Sequence, residues 1–238
     1  LEAGLSLDTL KRVVDSMADT AREAGVFIVT GDTKVVEPGG CAGLYITTAG
    51  VGTFPAGQEI PPQQPQAGDV ILASAPIASH GMAVMAARHN LRFDPAIESD
   101  VRPLNHVIRA VLDAGVTVRA MRDPTRGGVA GTLSEWAGRT LDITLNEDAL
   151  PVRADVRAAC AILGIDPVYV ANEGVALFSL PADQAQTALA AIRQIDYCAE
   201  AAIIGSVATG HGSVFAKTQI GTFRRILPPS GELLPRIC

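Results

Sequence analysis

The stretch "PAGQEIPPQQPQAG", residues 55–68, limits the possible folds more than any other part of this chain. Its prolines lack the amide that a helix interior or a central strand needs, and its glycines and glutamines offer few apolar anchors. A segment of this kind reads as a boundary, so the chain divides near residues 55–67. Each side then has to supply its own apolar pattern. Aromatic residues make up only 4% of a chain that is 48% hydrophobic, so the core has to be mainly aliphatic.

Before the boundary, residues 6–24 place Leu10, Val13, Val14, Met17 and Ala21 at helical spacing. Ser6 is the expected N-cap and Gly25 the stop. "VFIVTGDTKVV" reads as a strand with a polar interruption, "EPGG" as a turn, and "CAGLYITTAGVGTF" as a second strand, so residues 26–54 read as a hairpin. After the boundary, short strands alternate with helices. Strands are expected at "DVILASAP", "VTVRAM", "LDITL", "AAIIGSVA" and "SVFAKTQ", with a pair around a tight turn in "VYVANEGVALFSL". Helices are expected at "SHGMAVMAARHN", "PLNHVIRAVLDAG", "GGVAGTLSEWAG", "RADVRAACAILG" and "PADQAQTALAAIRQI". The fold class is α+β, a mixed α/β arrangement.

Several functions fall away on composition. A net charge of −6, with no basic patch interleaved with aromatics, argues against nucleic-acid binding and against an anionic membrane surface. No apolar run reaches the roughly 18 residues that suggest a membrane span, and the start lacks a signal-peptide pattern. It also lacks Met, so the chain reads as a fragment. There is no Walker A loop, no G-x-G-x-x-G and no G-x-S-x-G. His89, His106 and His211 are scattered and show no zinc-like spacing, while His80 reads as a helix cap or a neighbour of the site. Of the four cysteines, Cys160 and Cys198 read as small buried residues. Cys238 follows a proline-stiffened stretch, where its thiol would be accessible, and it is not placed as a prenylation signal.

Three stretches can carry chemistry. In "GDTK", a strand would put Asp32 and Lys34 on one face, which suits a magnesium-nucleotide site or, equally, an exposed ion pair. In "RDPTRGGVAGTLSEWA", Asp123, Arg126, Gly127 and Gly128 stand at a helix start. Unpaired amides there favour anions, although a tight strand-to-helix connection explains the same residues. In "ANEGV", Glu173 is an ordinary turn glutamate unless the turn faces a pocket.

Taken together, "GDTKVVE", "DPTRGGVAGTLSE", "NEGV" and the terminal "PRIC" closely resemble the HypE family of hydrogenase maturation proteins, which act as carbamoyl dehydratases. The first two alone resemble only the wider superfamily of aminoimidazole ribonucleotide synthetase, selenophosphate synthetase and thiamine-monophosphate kinase. The resemblance covers essentially the whole chain. It implies an aminoimidazole ribonucleotide synthetase-like two-domain architecture, each domain a mainly antiparallel or mixed sheet covered by helices. It also implies that residues 1–62 are the remnant of an N-terminal ATP-binding and dimerisation domain, 63–225 a C-terminal α/β domain, and 226–238 a flexible tail.

The implied reaction is ATP-dependent dehydration of a carbamoyl group on Cys238 to a thiocyanate, which supplies the cyanide ligands of [NiFe]-hydrogenase iron. Cys238 would be the carrier, Glu173 the base, and Lys34 the group that stabilises charge on the reacting oxygens. Asp32 would hold magnesium. Asp32, Thr33, Asp123, Arg126, Gly127 and Gly128 would line the ATP site. The implied partners are the carbamoyltransferase HypF, the HypC–HypD iron scaffold and a second copy of the chain, and the implied location is the cytoplasm.

The family's early glycine-rich and acidic residues are not in this sequence, so this chain alone is expected to bind ATP weakly or not at all and to lack the native dimer. Residues 226–238 could reach about 40 Å at ~3.3 Å per residue, enough to swing Cys238 between a cleft and a partner. Two other readings fit the residues: an ATP-dependent superfamily member acting on a small molecule, and a non-catalytic partner-binding module.

Overall fold

The computed structural model describes residues 1–53 and 64–230. The chain forms two compact units, Leu1–Ile60 and Pro61–Cys238.

In the first unit, helix α1 (Leu7–Ala24) has the predicted ends. The Ser6 hydroxyl accepts the Thr9 amide, and Gly25, in the left-handed region at φ 67°, donates its amide to the Ala21 and Arg22 carbonyls. The predicted hairpin over residues 26–54 is absent among the described residues. What forms instead is a single parallel bridge between Glu2 and Val36 and a turn at Glu37–Gly40. The Glu2 carboxylate accepts the amides of Gly39 at 2.6 Å and Gly43 at 2.8 Å, and these bonds hold the carboxyl below its usual range.

The reason for the missing hairpin lies in burial. Phe27 is 92% exposed and Val29 87%. A strand pattern fixes a register only where one face is covered, and an isolated two-stranded ribbon is marginal in water. Among the described residues this half therefore consists of α1, one bridge and irregular chain.

The second unit is built on a seven-stranded sheet in the order β2-β4-β1-β5-β3-β6-β7. Its strands are β1 (Asp69–Ala73), β2 (Ala120–Arg122), β3 (Leu141–Asn146), β4 (Leu177–Pro181), β5 (Ala202–Thr209), β6 (Ser213–Lys217) and β7 (Phe223–Ile226). Every neighbouring pair is antiparallel except β3 with β6, so the sheet is mixed. The helices are α2 (Ser79–His89), α3 (Asn105–Asp113), α4 (Gly128–Ala137), α5 (Ala154–Leu163) and α6 (Ala185–Ile192). Apolar residues from strands and helices merge into one cluster, with Ile71, Leu72, Phe178, Leu133 and Ile192 fully buried. The α+β expectation holds here.

Two local expectations change. "VYVANEGVALFSL" contains one strand, β4, rather than two. The Asp166 carboxylate accepts the Val168 amide and starts a short 3-10 turn at Pro167–Tyr169, which takes the place of the first strand. The tail also begins later than residue 226. Ile226 pairs with Val214 in the sheet and is buried, because "FRRI" completes the edge beside β6.

Candidate functional site

Asn172 organises the part of the second unit where two of the predicted stretches meet. It is fully buried. Its Oδ1 accepts the Ala78 amide at 2.7 Å, and its Nδ2 donates to the carbonyls of Pro124 at 3.0 Å and Val170 at 2.9 Å. Its own amide donates to Pro124 as well. A buried side-chain amide with each of these bonds made is a strong positional constraint. Asn172 thereby ties the connection Asp123–Gly128 to the turn that carries Glu173.

That connection runs from the end of β2 into α4. The Thr125 amide donates to the Asp123 carbonyl, and the Gly128 amide to Thr125. Asp123 and Arg126 are exposed, whereas Gly127 and Gly128 are buried. Both glycines have positive φ, 79° and 62°. A Cβ at Gly128 would lie 2.6 Å from the carbonyl oxygens of Val168 and Val170, and one at Gly127 would lie 2.8 Å from Pro229 Cγ. The close approach that these glycines allow is therefore made, in this structure, by the chain's own backbone and by Pro229.

Glu173 is half-buried between the buried residues Asn172 and Gly174. Its amide donates to Asp100 Oδ1 at 2.8 Å. Asp100 is 5% exposed, and burial pushes its carboxyl up from the ordinary range. The Glu173 amide, His80 and Arg102 act in the opposite direction. His80 is buried on the first turn of α2, with Nδ1 2.9 Å from Ser99 Oγ. Arg102 donates to the Asp100 carbonyl at 2.8 Å and lies 4.5 Å over the Tyr197 ring. Ser99, Asp100, Arg102 and Tyr197 line a cavity of about 280 Å³, together with Glu98 and Arg153.

In the first unit, Asp32, Thr33 and Lys34 are exposed. They lie outside any strand, so the expected strand face shared by Asp32 and Lys34 does not form. Asp32 Oδ1 accepts the Thr33 amide at 2.8 Å, and the Lys34 carbonyl accepts the amino group of Leu1. Among the described residues, no cluster of three or more His, Cys, Asp or Glu could hold a metal. Cys238 lies outside the described residues.

Asp100, Ser99 and Asn172 stand around the Glu173 turn, and sequence reasoning did not single them out. The available signal was weak: a polar "ESD" between two helices, and an asparagine overshadowed by the glutamate beside it.

Residues 66–217 match the family described as AIR synthase related protein, C-terminal domain. Carbamoyl dehydratase HypE of Azotobacter vinelandii is 48% identical over 240 residues, covering 100% of this chain and 70% of that protein. A crystal structure of hydrogenase maturation protein HypE in complex with ATP is 40% identical with a TM-score of 0.86, covering 100% of this chain and 73% of that one. A HypE–HypF complex is 39% identical, also with a TM-score of 0.86, covering 96% of this chain and 75% of that one.

Proposed function

This chain belongs to the HypE family of carbamoyl dehydratases, and from that premise we propose that it uses ATP to dehydrate a carbamoyl group carried on the Cys238 thiol. The product is a thiocyanate, whose cyanide becomes a ligand of [NiFe]-hydrogenase iron. The observation that carries this reading is the 48% identity to a carbamoyl dehydratase across the whole chain.

The chemistry balances in two steps. The thiocarbamate oxygen attacks the γ-phosphorus of ATP, ADP leaves, and the nitrogen loses one proton, giving an O-phosphorylated imidate. Removal of the second nitrogen proton then forms the C≡N bond as the C–O bond breaks and phosphate departs. Phosphorylation matters because an amide-type oxygen leaves poorly and a phosphate leaves well. Positioning and charge stabilisation supply most of the catalysis in such transfers.

In this scheme Glu173 is the base that takes protons from nitrogen, and a hydrogen-bonded turn supports that role by holding its backbone. Lys34 offsets charge on the carbamoyl and phosphate oxygens. Thr33, Asp123, Arg126, Gly127 and Gly128 belong to the nucleotide side, with the exposed Arg126 the natural contact for phosphate oxygen. Residues 1–62 act as the ATP-binding and dimerisation part, residues 63–226 as the partner domain, and the residues that follow as the arm bearing Cys238. ATP binding is supported by the ATP-bound relative.

Magnesium is commonly held by one or two carboxylates together with nucleotide phosphates and waters. The lone exposed Asp32 carboxylate fits an ion that arrives with the nucleotide, not a preformed protein cage. Such an ion would neutralise phosphate charge.

HypF, seen in complex with a relative, is the proposed carbamoyl donor. HypC–HypD is the proposed cyanide acceptor, and the working form is a homodimer. No described helix is long and apolar enough to cross a membrane. The proposed location is the cytoplasm, where ATP and reduced thiols are both available.

Intact mass spectrometry tests the reaction. After carbamoylation by HypF, adding ATP should remove the mass of one water from a Cys238 adduct. An adduct mass unchanged by ATP would refute the dehydration. ATP turnover on a small molecule that survives deletion of residues 235–238 would point to another member of the superfamily.

A further inference from the structure

Beside the Glu173 turn stands a buried carboxylate that the reaction scheme leaves unused. The Asp100 carboxyl accepts the Glu173 amide, at 2.8 Å on Oδ1, and also the His80 amide at the start of α2, while Oδ2 is buried with no hydrogen-bond partner among the described residues. Burying a carboxylate with an unmade bond is unfavourable, and a fold that only needed to close a turn could do so with a neutral group.

The contact is also intimate at the backbone. A Cβ at Gly174 would lie 1.7 Å from the Asp100 carbonyl oxygen, so the two main chains touch where the turn leaves Glu173. The segment that presents Asp100 is itself anchored at both ends. Ser99 Oγ accepts the Val101 amide at 3.2 Å and bonds His80 Nδ1, and Arg102 binds the Asp100 carbonyl while stacking over Tyr197. On the other side of Glu173, Asn172 is fixed to Pro124, Val170 and Ala78. The backbone of Glu173 is thus held from two sides, by Asn172 and by the Asp100 carboxyl, each of which also binds an amide at the start of α2.

We propose that Asp100 is a positioning residue for the dehydration: its carboxylate fixes the Glu173 amide and so the direction in which the Glu173 side chain leaves the turn. The proposal rests on the reading of Glu173 as the base. Asp100 acts through Glu173, and its removal slows proton abstraction without weakening ATP binding or carbamoyl loading. Asparagine keeps an acceptor oxygen for the same amide, so Asp100→Asn retains the positioning that Asp100→Ala loses.

The test is single-turnover thiocyanate formation on the full natural chain, carbamoylated beforehand by HypF. Misplacement of a reacting group by about 1 Å can cost on the order of 100-fold. Asp100→Ala is therefore expected to slow the step by roughly 10- to 100-fold, with KM for ATP and carbamoyl loading unchanged. Asp100→Asn is expected to recover most of the rate. A wild-type rate in Asp100→Ala, a loss confined to KM, or an Asn variant no better than Ala overturns the proposal.

Glu173→Gln is measured alongside. If it dehydrates at the wild-type rate, the base assignment fails. If it is inactive while Asp100→Ala is unimpaired, only the positioning role fails. A measurement on the unsubstituted chain covers the case in which Asp100→Ala does not fold. The Glu173 amide should be protected from hydrogen exchange, and exchange at the rate of an unstructured peptide overturns the proposal.

Discussion

At position 174 a methyl group in place of hydrogen would lie 1.7 Å from the Asp100 carbonyl oxygen, far inside contact distance and against backbone that cannot rotate away. Gly174→Ala should therefore destabilise the second unit by roughly 1–3 kcal/mol, read as a lower urea midpoint at unchanged slope. A midpoint equal to that of the parent would mean the two backbones can separate freely.

Asp100 itself gives a prediction whose sign follows from linkage. Burial raises its carboxyl above the ordinary range, so the folded chain holds that proton more tightly than the unfolded one. The resulting stabilisation is complete below about pH 4, the ordinary carboxylate range, and is lost as pH rises through the folded value. Asp100→Asn cannot ionise, so its stability relative to the parent should grow between about pH 4 and neutrality. Parallel urea titrations check this, and a gap that does not change with pH contradicts it.

The thiols follow the same logic of burial. Cys160 and Cys198 are buried and each is pushed up to about 11, so neither holds much thiolate near neutrality. Iodoacetamide should modify the partly exposed Cys41 well before either of them, as peptide mass mapping would reveal.

Elements with marked ends were legible in the sequence, and elements that depend on a distant partner were not. Helix α1 announces itself through Ser6 and Gly25, and both ends form as expected because capping is local chemistry. The strands at residues 26–54 carried the right residue types, but a strand exists only through its neighbours, and Phe27 and Val29 find no cover among the described residues. The opposite error occurred at β7, where "FRRI" shows little apolar pattern and gains its identity from pairing with β6. The candidate site divides along the same line. Glu173 and the paired glycines stood out as sequence motifs, whereas Asp100 reaches Glu173 from 73 positions away and no local pattern signals that.

Tyr169 offers a test of such a distant link. Its hydroxyl accepts the Leu227 amide at 3.1 Å and donates to the Leu227 carbonyl at 3.0 Å, tying the chain after β7 to the 3-10 turn. Two residues later, Pro229 packs on Gly127 at the start of α4. Tyr169→Phe should cost about 1 kcal/mol and raise hydrogen exchange at Leu227. If exchange there is unaltered, residues 227–229 are held by Pro229 alone.

For the molecule as a whole, the two units differ in what they bury. Every residue of the apolar core cluster lies between Ile71 and Ile226, while α1 contains no buried residue. Cooperative unfolding stability scales with buried apolar surface, so the second unit should resist proteolysis and the segment 26–53 should be cut first. Mass mapping of a brief digestion should find a resistant fragment starting near residue 64, and early cuts inside β1 or β5 would contradict this.

The same digestion addresses the proposed homodimer. Val26, Phe27, Ile28, Val29, Val35, Tyr45 and Ile46 are all exposed, a concentration of apolar side chains beyond the isolated surface hydrophobes of an ordinary monomer. They flank Asp32 and Lys34, so whatever covers them would also order the stretch assigned to the nucleotide. If a second copy provides that cover, cleavage between residues 26 and 53 should slow as protein concentration rises through the dimer's dissociation constant, and added ATP should strengthen the protection. Cleavage at a rate independent of concentration would eliminate self-association as the source of cover, and the assigned roles of Asp32 and Lys34 would then need ordering from another part of the natural chain or from ATP itself.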